Sequence, residues 1–436
     1  MKQTGLATTD TASAGGGHPS LRRDLGLLDA VGIGLGAVMG AGIFVVTGVA
    51  AGVAGPAFLV GLAVAGAAAT FNGLSSAQLA ALYPQSGGTY EYGYRVAGPA
   101  AGFAAGWMFL ASKLAAAGTV ALGFGHYASA LFPGSLPLPF AAGAVVLLTI
   151  ANLLGIRKAG ALNLAIVFLT LLSLGSFVAG GIPSFDAANL TPFAPHGWRG
   201  VAESCALLFF AYTGYARLAT LGEEVRDPEK NIPRAILLTL IFSFVIYLAV
   251  GLVAVGSVGA DAMAATRSPL EKAAAAFSAQ WVGKLLGVGA ATAMFGVLLS
   301  QILGISRMML AMARRGDLPA FFGKIDARHG VPARGIIITG AVALTLALAG
   351  TLEFIVAAAA FTILIYYAIT NLCAIRLPRE KRLYPAWLAW AGLVTCIAMA
   401  SALPVRTMLT GAGLLLAGFL LRWCLHRLCP PGGAKN

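Results

Sequence analysis

Charge is what this sequence has least of. Only 10% of its 436 residues are Asp, Glu, Lys or Arg, comprising 29 basic and 16 acidic side chains. A soluble domain carries about a quarter. Hydrophobic residues make up 58% and the mean hydropathy is +0.84. A soluble globule of this length needs a charged skin that the chain cannot supply. Soluble enzymes and nucleic-acid-binding proteins are thereby disfavoured. Cysteine is also scarce. Five are present (Cys205, Cys373, Cys396, Cys424 and Cys429), an odd number lying in or beside apolar segments. Buried, inert thiols are expected rather than a disulfide framework. The five histidines are scattered without metal-ligand spacing, and no paired carboxylates or Walker A signature occur in the apolar segments. No metal, cofactor or enzymatic constellation is expected. Residues 1–24 read as a flexible tail, because their first 20 lack the apolar core and cleavage pattern of a signal peptide.

Long apolar runs are what the chain has instead. Twelve are long enough to cross a bilayer at about 20 residues each: 28–52, 56–82, 100–131, 138–155, 160–182, 200–222, 233–256, 281–312, 335–350, 353–376, 384–403 and 406–427. An even number of crossings puts both termini on one side. With these limits, 22 of the 29 basic residues fall on that side and five (Arg199, Arg267, Lys272, Lys284, Arg406) on the other. Positive charge marks cytoplasmic loops. The expectation is a multi-pass plasma (inner) membrane protein with both termini cytoplasmic. The net charge of +13 then reports orientation in the lipid bilayer and implies no nucleic-acid partner.

Two of these spans carry signs of a break. Span 1 has glycines at 32, 34, 36, 40 and 42. Close helix packing through GxxxG pairs is one reading. The other is an unwound stretch around Met39–Ile43, whose free amides at the positive end of a half-helix suit a carboxylate. In span 6, Gly214 lies among aromatics at mid-membrane depth. A break there exposes carbonyls that accept from an ammonium group, and is tolerated only against a protein-lined cavity. Breaks five spans apart fit an inverted 5+5 repeat.

The motifs Gly40-Ala-Gly-Ile-Phe44, Tyr83-Pro-Gln-Ser-Gly-Gly-Thr-Tyr90, the run from Phe209 to Arg234 containing Glu-Glu-Val-Arg-Asp-Pro-Glu-Lys-Asn-Ile-Pro, and Ser306 to Pro319 carry a resemblance. The chain resembles the amino acid–polyamine–organocation superfamily of transporters, which shares the LeuT-type fold, over roughly residues 22–430. The resemblance implies an all-α membrane protein of twelve transmembrane helices. Repeat 1 would span 25–182 and repeat 2 183–376, with helices 1 and 6 broken. Residues 377–436 would hold two peripheral helices and a tail. It also implies a substrate carboxylate on the amides of Gly40, Ala41, Gly42 and Ile43, beside Met39. The amine would meet the carbonyls of Phe210, Ala211 and Thr213, with Phe210 as a lid. Two departures bear on coupling and selectivity. Span 5 has Leu169 or Thr170 where proton-coupled relatives often carry lysine. Span 3 lacks the acidic residue often found in relatives that resemble cationic amino acid transporters.

Lys113 is about eleven residues into span 3, roughly 16 Å deep at 1.5 Å per residue. A cation there is expensive, and intramembrane ionisable groups are functional candidates. As a proton site it would couple protonation to alternating access; as a structural group it would bond broken-helix carbonyls. Glu203, near the outer start of span 6, either pairs with Lys113 or is an interfacial carboxylate at a helix N-terminus. Arg217 forms a gate with Glu223, Glu224 or Asp29, or snorkels. The expected function is proton-coupled uptake of a neutral amino acid, with sodium coupling less favoured. An amino acid or polyamine exchanger and a non-transporting sensor are the alternatives.

Overall fold

The computed structural model describes residues 25–83, 87–132, 134–155, 160–220, 225–349 and 351–428. Among the described residues the chain is helical. In order the helices are α1 (Leu27–Val38), α2 (Thr47–Ala54), α3 (Phe58–Leu82), α4 (Thr89–Tyr92), α5 (Pro99–Ala130), α6 (Pro137–Leu153), α7 (Gly160–Gly181) and α8 (Gly197–Tyr212). They continue as α9 (Pro228–Ala264), α10 (Pro269–Ala274), α11 (Gln280–Arg314), α12 (Ala333–Ala349), α13 (Leu352–Ile375), α14 (Ala386–Ala402) and α15 (Val405–Leu428). Seven helical stretches among the described residues are long and apolar enough to cross a membrane, the first running from Leu27 to Leu82. The apolar helices α6, α12 and α14 are shorter.

Local chemistry sets several ends. Asp29 accepts from the Gly26 amide at 3.0 Å, closing the first turn of α1 from its N3 position. This use of Asp29 is a helix cap. Proline stands in the first turn of α5, α6 and α9, where its missing N–H costs nothing. Large apolar side chains face outward, with Phe168 on α7 69% and Leu409 and Leu416 on α15 68% and 65% exposed. Such a surface suits lipid and not water.

The interior is built around α5, which packs against α11, α13, α6 and α12. Close approaches fix the α5/α11 register as antiparallel. A Cβ on Gly123 would meet Met294 Sδ at 2.6 Å, and one on Gly106 would meet Met312 Sδ at 3.0 Å.

At one end of the bundle the loop between α3 and α5 is bolted down by a buried carboxylate. Asp317, 1% exposed, accepts from Tyr90 Oη at 2.7 Å and Tyr94 Oη at 2.5 Å. It also pairs with Arg422 Nε of α15 at 3.0 Å. Arg422 donates in turn to Tyr94 Oη and the Pro99 carbonyl, both at 3.1 Å. Burial, and then the bond to Asp317, push the Tyr90 hydroxyl well above its ordinary value and keep it a donor. Beside it, burial disfavours ionisation of Glu91, but the Arg95 hydrogen bond and the Arg315 charge outweigh this and hold its carboxyl below the usual range. Removing one partner of a buried ion pair strands the other, at about 3–5 kcal/mol. Asp317→Leu is therefore expected to lower the melting temperature of the purified protein strongly. The double substitution Asp317→Leu/Arg422→Met is expected to recover most of the loss, and equal losses in the two variants would show that the pair is energetically idle.

Candidate functional site

The expected break in span 1 lies where α1 ends. Met39 turns extended (φ −79°, ψ 92°), and the first backbone bond of the next half is Phe44 N–H to Gly40 O at 3.4 Å. Wide π-type turns follow over Gly42–Val46, then α2. The amides of Ala41, Gly42 and Ile43 precede that first bond, so they are the orphan donors of a helix N-terminus. The break expected at Gly214 has a different form. After Tyr212 the chain tightens into a 3₁₀ helix over Thr213–Thr220 instead of unwinding. The tighter winding shifts which carbonyls leave the α-helical ladder without opening the chain.

The two irregular stretches touch each other. A Cβ on Gly42 would fall 2.5 Å from Ala211 Cα, and one on Gly214 would strike the backbone of Ala37 and Val38. Only glycine permits either contact, because the obstructing atoms are main chain.

Three tyrosines from other helices hold the exposed carbonyls. Tyr247 Oη of α9 donates to Val38 O at 2.8 Å and to Ala211 O at 3.4 Å. Tyr127 Oη of α5 donates to Phe44 O at 2.7 Å. Tyr367 Oη of α13 donates to Thr213 O at 3.3 Å. Thr213 Oγ1 donates to Phe210 O at 2.9 Å. These hydroxyls do for the broken helices what water cannot do inside a membrane.

A cavity of about 30 Å³ lies between the two breaks, bounded by Ala37, Val38, Gly40, Ala41, Gly42, Lys113, Val120, Phe210, Ala211, Thr213, Gly214, Val297 and Gln301. That volume holds a water molecule; an amino acid requires the walls to part. Of the residues singled out from the sequence, Gly40, Ala41, Gly42, Phe210, Ala211, Thr213 and Lys113 meet here. Met39 and Ile43 are buried beside it, 1% and 0% exposed, without bounding it. Lys113 reaches over the Phe109 ring at 5.7 Å and is near enough to Arg217 for their charges to interact.

Other expected residues lie elsewhere. Thr170 Oγ1 donates to Ile166 O of its own helix at 2.7 Å and does not line the cavity. Glu203 lines a second cavity of about 540 Å³ at the opposite end of the bundle from Asp317, with Arg267, Glu353 and Arg406. No ion pair joins Glu203 to Lys113 among the described residues. Glu223 and Glu224 lie outside the described residues. Tyr127, Tyr247, Tyr367, Val297 and Gln301 were not singled out from the sequence. Nothing local marks them: they are single residues in long apolar helices, brought in by packing.

Comparison with known proteins fits this geometry. The family model described as amino acid permease matches residues 29–417. An uncharacterised transporter of Mycobacterium tuberculosis is 42% identical over 405 residues, covering 91% of this chain and 90% of its own. The methylthioribose transporter of Bacillus subtilis is 33% identical over 353 residues, 77% of this chain and 76% of its own. The branched-chain amino acid permease of the same organism is 30% identical over 343 residues, 74% of each chain.

Proposed function

The chain belongs to the amino acid permease family, whose named relatives are transporters and not enzymes, and we propose that it takes up neutral amino acids together with protons by alternating access. In this reading the chain crosses the plasma membrane twelve times with both termini cytoplasmic. Its two inverted five-helix repeats meet at the cavity between Gly40 and Gly214. The substrate carboxylate lies on the amides of Gly40 to Ile43, and Phe210 closes over it.

The observation that carries the reading is Lys113. Among the described residues it is the one cationic side chain bounding the cavity, and no acidic side chain among them bounds it. Charged, it repels a substrate with a cationic side chain. In a site that must open and close, its protonation can follow the state of the walls, which is what coupling requires.

Reconstituted uptake of a labelled amino acid panel is the test. Saturable accumulation of neutral amino acids, at least tenfold higher with an inward proton gradient than without one, is expected. Accumulation driven only by sodium refutes the coupling; flux only against internal amino acid replaces symport by exchange.

A further inference from the structure

The acceptors around the central cavity are unequally occupied. The carbonyls of Phe210, Ala211 and Thr213 already accept from Thr213, Tyr247 and Tyr367 respectively, and Val38 O accepts from Tyr247. Gln301 on α11 differs: its Oε1 is buried and accepts from no group among the described residues. A buried amide oxygen without a donor costs about 1–3 kcal/mol, and such groups call for a reason.

Packing places this residue beside the break in the first span. One turn before Gln301, Val297 touches the break in the first span: a Cβ on Gly40 would meet Val297 Cγ2 at 3.1 Å. One turn after it, Gly304 lies near Arg217, whose Nη1 is 3.6 Å from a Cβ built there. Gln301 therefore sits on the cavity face of α11, just past the level of the Gly40 amide. From the Gly123–Met294 and Gly106–Met312 contacts, it falls opposite residues 116–117 of α5, one turn from Lys113.

We propose that Gln301 Oε1 is the acceptor for the substrate's ammonium group, the hydrogen bond by which the site tells an amino acid from an isosteric acid lacking the amine. The proposal rests on the amino acid transport reading. With the carboxylate on the Gly40–Ile43 amides, the adjacent ammonium lies within the same cavity and brings three donors. The tyrosine-held carbonyls each retain a lone pair and receive part of it. Among the described residues bounding the cavity, Gln301 is the one whose buried side-chain oxygen has no donor, and its occupation removes a standing penalty of the empty site. A hydroxyl in place of the ammonium donates one uncharged bond instead of charge-assisted ones, which are roughly twice as strong.

The test compares binding of L-leucine with that of its 2-hydroxy acid, identical except for the amine, by thermal shift on purified full-length protein. If the uptake panel favours another neutral amino acid, that one and its hydroxy acid replace the pair. Wild type is expected to bind the amino acid at least tenfold more tightly than the hydroxy acid. Gln301→Met is expected to bring the two within about threefold by weakening amino acid binding alone. Gln301→Glu, which keeps an acceptor, is expected to preserve the preference, and it stands in if the methionine variant does not fold: a Gln301→Glu preference below threefold then overturns the proposal. A wild-type ratio retained in Gln301→Met overturns it. If wild type binds neither compound of any pair, the transport reading fails and this proposal with it. Discrimination by wild type that Gln301→Met leaves intact sinks only this proposal.

Discussion

Gly214→Val is expected to eliminate transport and to destabilise the protein by about 2 kcal/mol or more. The Cβ would strike the carbonyl carbon and oxygen of Ala37 and the amide nitrogen of Val38. None of these atoms belongs to a side chain that can rotate away. Overpacking in a filled interior typically costs about 1–3 kcal/mol, and here relief requires the two irregular stretches to separate. That separation takes Val38 O and Ala211 O away from the shared hydroxyl of Tyr247, leaving carbonyls unpaired where no water reaches. Gly42→Val is expected to act alike through Ala211. Gly143→Val is the control, because nothing lies within 4 Å of a Cβ there. Thermal melts of the purified variants and reconstituted flux provide the readouts. A Gly214→Val protein with wild-type melting temperature and wild-type flux would show that the contact is incidental.

Lys113→Met is expected to separate stability from coupling. A lysine enclosed beside a cavity between helices is a cost to the fold, and no carboxylate pairs with it among the described residues. Exchanging a buried charge for an apolar chain of similar length is often neutral or stabilising. A purely structural lysine would leave uptake unchanged or reduce it along with stability. On the proposed cycle the methionine variant melts at or above the wild-type temperature. It binds a neutral amino acid and exchanges it across the membrane, yet loses at least tenfold in accumulation driven by a proton gradient. Lys113→Arg is expected to behave like methionine for coupling, since arginine does not release its proton in proteins. Undiminished proton-driven accumulation in both variants would remove Lys113 from the coupling mechanism.

Much of the first span could be read from the chain. Glycines at 40 and 42 beside Met39 fit a break as well as close packing, and α1 does stop at Val38, because helix termination depends on the conformational freedom of a few adjacent residues. The break in the sixth span was legible only in position. A lone Gly214 does not say whether the chain unwinds or tightens, and the 3₁₀ stretch over Thr213–Thr220 is shaped by contact with Ala37 some 180 residues earlier. From the sequence Glu203 was either a partner for Lys113 or an interfacial carboxylate at a helix N-terminus. Depth along two helices does not show which cavity a side chain enters, and Glu203 enters the other one. Asp317 and Arg422 were not singled out from the sequence, although together they fasten α15 to the loop after α3.

Hydropathy, glycine placement and the distribution of basic residues are properties of short windows. By themselves they determined that the chain lives in lipid, where helices lie along it, and that Lys113 and Arg217 are the two cations left inside spans; they left the first span either closely packed or broken. What only the tertiary structure decided is which atoms meet at the break. Tyr127, Tyr247, Tyr367 and Gln301 come from four helices far apart in sequence. Each is one polar residue in an apolar run, so no window distinguishes it from its neighbours. Their roles arise from the requirement that every buried carbonyl and amide find a partner, and helix packing decides which partner that is.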